Sequence, residues 1–126
     1  MANAQAVEMM KETPMHQSYV QIAPHPEDFP DLLDAIGKAM AMPSDWSEEF
    51  KTIQTPTLLI FGDSDMIRPE HMVEFFQLLG GGLKDGGWMG ENMSPHQWAV
   101  LPGTTHYNIF MSPLMVQIAL QFFNQK

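Results

Sequence analysis

The sequence has no cysteine, which excludes a disulfide framework, a thiolate metal site and a cysteine nucleophile, and fits a reducing compartment. Bases are scarce as well. Six Lys and Arg stand against 15 Asp and Glu, a formal charge of −9, and no basic stretch is available to neutralise a run of phosphates. Nucleic acid and anionic membrane are therefore not expected partners. Although 44% of the residues are hydrophobic, uninterrupted apolar runs stay far below the ~18 residues a membrane span requires. Met1 to Lys11 lacks a basic segment followed by an apolar one, so no secretory leader is expected and a cytoplasmic location follows. At 126 residues the chain has room for a single modest core.

What is there falls into two parts. Residues 1–50 hold nine acids and two bases, whereas residues 51–126 hold six acids and four bases, which places a break near Lys51. In the first segment Ala4 to Lys11 suits a short helix, and Pro14, Pro24 and Pro26 predict an extended or irregular connection after it. From Asp28 an acidic cap, Pro30 in the first turn, and Leu32, Leu33, Ile36, Ala39 and Met40 at helical spacing predict an amphipathic helix. Asp45 with Glu48 resembles a capping box opening a short helix through Phe50.

The second segment alternates. Thr57 to Phe61 is an apolar run between Pro56 and Gly62, the pattern of a parallel strand covered on both faces. Pro69 opens a helix with Met72, Phe75, Phe76 and Leu79 on one face and Gly80 at its end. Six glycines from Gly80 to Gly90 predict a long flexible loop in which Trp88 and Met89 are partly exposed. Trp98 to Leu101 is a second apolar run, and Ser112 with Pro113 begins a helix whose inward stripe is Met115, Ile118, Ala119 and Phe122. Strand, helix, strand, helix predicts an α/β arrangement: two parallel strands joined by a right-handed crossover, with C-terminal helices.

Carboxylates then fall just past the first strand, in Gly62-Asp-Ser-Asp65, and an imidazole just past the second, in Pro102-Gly-Thr-Thr-His106. Parallel neighbours lie only ~4.8 Å apart, so Asp65 and His106 can meet in the crevice beyond the strand ends. Asp63 is expected to hold the loop through backbone N–H groups, and Arg68 to lie at the surface or near a helix start. His16, His25, His71 and His96 show no metal-ligand spacing; they are expected at the surface, and neither metal nor cofactor is called for. The twelve methionines are read as filling cores and interfaces.

With these residues in place, residues 51–126 resemble the carboxyl-terminal part of an α/β-hydrolase. There, a P-T-L-apolar-apolar-x-G-D-x-D segment bears the triad acid and P-G-x-x-H bears the triad histidine. The resemblance implies a partial α/β-hydrolase fold, with Asp65 orienting His106 and His106 acting as general base and acid on an ester or amide substrate. Residues 1–50 resemble the lid helices that precede this strand in such enzymes. The G-x-S-x-G nucleophile elbow is not in the sequence, so the chain reads as a fragment or truncated relative that is inactive alone; an in-frame extension upstream of Met1 containing that elbow would mean that Met1 is internal. Its expected partners are the missing amino-terminal half or a second copy in a homodimer, since two strands leave an edge and apolar surface to cover. An alternative resemblance is to GDSL-type esterases, through Phe61-Gly-Asp-Ser64 with Ser64 attacking. Gly103 stands where their D-x-x-H block has aspartate, and Gly90-Glu-Asn92 echoes their G-x-N block. A non-catalytic self-associating module is the remaining reading.

Overall fold

The computed structural model describes residues 4–125; residues 1–3 and 126, the outermost positions of the two segments read from the sequence, lie outside them. The chain divides into two compact units, residues 1–45 and 46–126.

The first unit is helical. Helices α1 (Ala4–Met10), α2 (Pro14–Ile22) and α3 (Phe29–Ala41) are joined by short connections, the last containing a 3-10 turn at Pro26–Asp28. Helix α2 replaces the irregular connection expected from its prolines. Pro14 occupies the first turn, where its missing N–H would have no partner in any case, and the Thr13 hydroxyl oxygen caps the helix by accepting from His16 N–H at 3.4 Å. Phe29 is the buried centre of this unit. The His16 ring meets it edge-on at 4.7 Å between centroids and Tyr19 packs at 5.3 Å, so His16 is a half-buried packing residue and not the surface histidine expected. The apolar face of α3 forms as expected, yet Leu32, Ile36 and Met40 on it are exposed.

The second unit contains α4 (Ser47–Phe50), β1 (Leu58–Gly62), α5 (Pro69–Leu78), β2 (Gln97–Leu101) and α6 (Pro113–Phe123). Trp46, not Asp45, occupies the N-cap position of α4, and no side-chain cap forms there. The two strands pair in parallel, in register from Leu58 opposite Gln97 to Gly62 opposite Leu101, so their carboxyl ends are level. The unit is therefore mixed α/β, as the alternating pattern predicted. Leu58 to Phe61 are only half-buried, a departure from the both-faces cover expected of an apolar run. Strand β2 alternates, with Trp98 and Val100 exposed and Leu101 buried. Met115, Ile118, Ala119 and Phe122 are the half-buried stripe of α6.

Glycine ends α5 as predicted. Gly80 takes φ +92, its N–H donates to Gln77 O at 2.9 Å and the Gly81 N–H to Phe76 O at 2.9 Å, the two bonds of a Schellman motif. Within the following loop, Trp88 and Met89 are fully exposed instead of partly so. Asn92 N–H donating to Gly86 O (2.9 Å) and Gly87 N–H donating to Asp85 Oδ1 (2.7 Å) tie the loop to itself. Among the described residues no helix is long and apolar enough to cross a membrane.

Candidate functional site

The level ends of β1 and β2 place two loops side by side, and three contacts stitch them. Asp63 N–H donates to Leu101 O (3.1 Å) and Ser64 N–H to Thr104 O (3.0 Å). In return Thr104 N–H donates to Asp63 Oδ1 (3.2 Å), while the Thr104 hydroxyl donates to Leu101 O (2.9 Å) within its own loop. Asp63 thus clamps the neighbouring strand's loop, a wider role than the local turn read from the sequence. The Gly103 N–H is the largest cause holding its carboxyl below the usual range; partial burial opposes this, and the Thr104 N–H, the Ser64 hydroxyl and its own N–H add to it. Gly103 adopts φ +67, a left-handed conformation that lets Pro102-Gly103 reverse the chain directly after β2.

A close approach between Gly62 and Thr104, not readable from either loop by itself, controls this geometry. Thr104 is buried. Gly62, at the end of β1, lies so close to it that an added Cβ would come within 2.8 Å of the Thr104 carbonyl carbon and 3.0 Å of its Oγ1.

Asp65 and His106 are brought together. Asp65 Oδ1 lies 3.0 Å from His106 Nδ1. The carboxylate is anchored by two more donors, Ile67 N–H on Oδ1 at 2.9 Å and Gly62 N–H on Oδ2 at 3.1 Å. Its side chain is 3% exposed and that of His106 49%. Burial is the largest influence on Asp65 and pushes its carboxyl up. The N–H groups of Ile67 and Gly62, with the hydrogen bond and charge of His106, together outweigh burial and hold it below the ordinary range. An ionised carboxylate only accepts, so Nδ1 carries the proton in this bond and Nε2 is the nitrogen free to take one from another group. The turn bearing His106 is fixed by Thr105 N–H to Asn108 Oδ1 (2.7 Å) and Tyr107 N–H to Thr105 Oγ1 (3.2 Å). Arg68 is exposed and supplies the N-cap position of α5 through its backbone.

Ser64, the alternative nucleophile, donates its hydroxyl to Asp63 Oδ1 at 3.4 Å. Among the described residues no group of three or more His, Asp or Glu is placed to hold a metal ion. His96, expected at the surface, is instead buried at the entrance to β2, where Ser94 Oγ accepts its backbone N–H at 3.1 Å. Its burial has no signal in the sequence, since nothing in Ser94-Pro-His96 distinguishes it from a loop histidine.

The lowered Asp65 carboxyl ties stability to pH. Its contribution is fully present above the ordinary carboxylate value of about 3.9 and is lost as pH falls through the lower value it has in the fold. Urea midpoints measured from neutral pH downward should show wild type more stable than Asp65→Asn at neutral pH, with the gap closing as pH falls past the ordinary carboxylate value.

No family model, no curated protein and no solved structure matches the chain.

Proposed function

We propose that the second unit carries the acid and the histidine of a serine-hydrolase catalytic apparatus of the α/β-hydrolase type, acting on an ester or amide when a nucleophile is supplied. One observation carries this reading. A buried, ionised carboxylate, held by two backbone N–H groups, accepts from Nδ1 of a half-exposed imidazole at 3.0 Å. In such a site the carboxylate fixes the ring's tautomer and stabilises the imidazolium. Nε2 removes the proton from an attacking hydroxyl and returns it to the leaving group. The order along the chain, acid then histidine at consecutive strand ends, supports the same reading. The first unit enters it only through its resemblance to lid helices.

In this reading the chain alone has an acid and a base but no activated nucleophile, because no G-x-S-x-G elbow is in the sequence. A fluorophosphonate probe added to the purified chain should leave every serine unlabelled. Stoichiometric labelling of Ser64 would overturn this assignment in favour of the GDSL-type alternative.

Cover for the sheet is the second part of the proposal. The second unit's sheet has two strands, and Val100, Leu114, Val116, Leu120 and Phe123 are exposed on the unit's elements. Self-association as a two-fold dimer would bury such surface. Sedimentation equilibrium at micromolar concentration should then give a dimer, with unfolding temperature rising with protein concentration; a cooperatively folded monomer would rule it out.

A further inference from the structure

At the opposite end of the strands from Asp65 and His106, the residues entering β1 and β2 and the loop after α5 enclose a cleft of ≈ 760 Å³. That volume falls within the range of small-molecule sites. Two of the chain's six bases, Lys51 and Lys84, line it. Lys51 is paired with Glu48 at 2.5 Å, whereas Lys84 has no ion pair among the described residues. The single acid in the lining, Glu91, is engaged by the Met89 N–H at 3.0 Å. In a chain of net charge −9, the lining of this cleft holds two bases against one acid, and Lys84 is the base that Glu48 does not engage.

The wall is built rather than incidental. Phe76 and Trp98 stack with their rings 5.2 Å apart and 13° from parallel, yet Trp98 keeps an exposed face. The backbone of Gly81 lies so close against Phe76 that a Cβ there would come within 2.6 Å of the ring, which fixes the loop over this pair. Beside Trp98, His96 lines the cleft at 6% exposure, and its Nδ1 is buried with no hydrogen-bond partner. A buried N–H without an acceptor is rarer and less tolerable than a bare acceptor nitrogen. The proton therefore belongs on Nε2, leaving Nε2–H as the ring's donor.

We infer that this cleft binds a small, flat organic anion, the simplest being an aromatic carboxylate. The ring packs against Trp98 and Met93, and the carboxylate is held between Lys84 and His96 Nε2–H. The site is separate from the Asp65–His106 pair and independent of the function proposed for it.

Benzoate is the probe, benzamide its neutral counterpart, and the readout is NMR of the Trp98 indole N–H and the His96 ring. Benzoate should shift both signals saturably, benzamide should bind at least about tenfold more weakly, and Lys84→Gln should weaken benzoate by about tenfold. Lys84 is an exposed loop residue, so this variant keeps the core intact; His96→Gln is the second variant and should also lose affinity. Equal affinity for benzoate and benzamide, an unchanged dissociation constant in Lys84→Gln, or no saturable shift at Trp98 and His96 would each overturn the inference.

Discussion

Replacing Gly62 by valine is expected to lower the stability of the second unit by about 3 kcal/mol and to break the hydrogen bond between Asp65 and His106. The reason is steric. The new Cβ would stand 2.8 Å from the carbonyl carbon of Thr104, and the obstacle is backbone rather than the end of a flexible side chain. Relief requires the two loops to separate, yet Ser64 N–H bonds to that same carbonyl and Thr104 N–H to Asp63. The Gly62 N–H is also one of the three donors on the Asp65 carboxylate, so any shift of this residue moves the acid itself. Thermal unfolding should show the midpoint falling by more than about 10 °C. Gly62→Ala should have the same sign, because the clash is with the first side-chain carbon. An unchanged midpoint in both variants would mean that the loops can part without loss, and that the close approach does not hold the site.

Asp65→Asn is expected to leave the fold largely in place and to reverse the histidine. The amide is nearly the size of the carboxylate and its oxygen can keep one backbone N–H, but its nitrogen donates. If that nitrogen faces His106, Nδ1 must accept and the ring's proton moves to Nε2, the position that has to be bare for Nε2 to act as a base. In a complete site of this kind the same exchange costs about 10⁴ in kcat. Asp65→Ala differs in kind, since the Ile67 and Gly62 N–H groups would lose their acceptor as well as the ring.

Much of this site was legible because it depends on local signals repeated at two places. An apolar run closed by Gly62-Asp and another closed by Pro102-Gly103 mark two strand ends, and parallel pairing in register brings Asp65 and His106 within reach. The close approach of Gly62 to Thr104 was not legible, because it is a contact between loops about forty positions apart, which no pattern within either loop records. Pro14 misled in another way. Proline excludes a helix interior but suits its first turn, and Thr13 before it was the deciding cue. The apolar run of β1 promised cover on both faces, but a run of hydrophobic residues specifies what a strand can pack against and does not supply the packing, so Leu58 to Phe61 remain half-buried.

Asp65 holds His106 with its proton on Nδ1 and its base on Nε2, and nitrogen-15 NMR of the imidazole tests this most directly. At neutral pH wild type should show a protonated, donor-type Nδ1 and a bare, acceptor-type Nε2, and Asp65→Asn should show the two interchanged when its amide nitrogen faces the ring. A wild-type ring with its proton on Nε2 would contradict it.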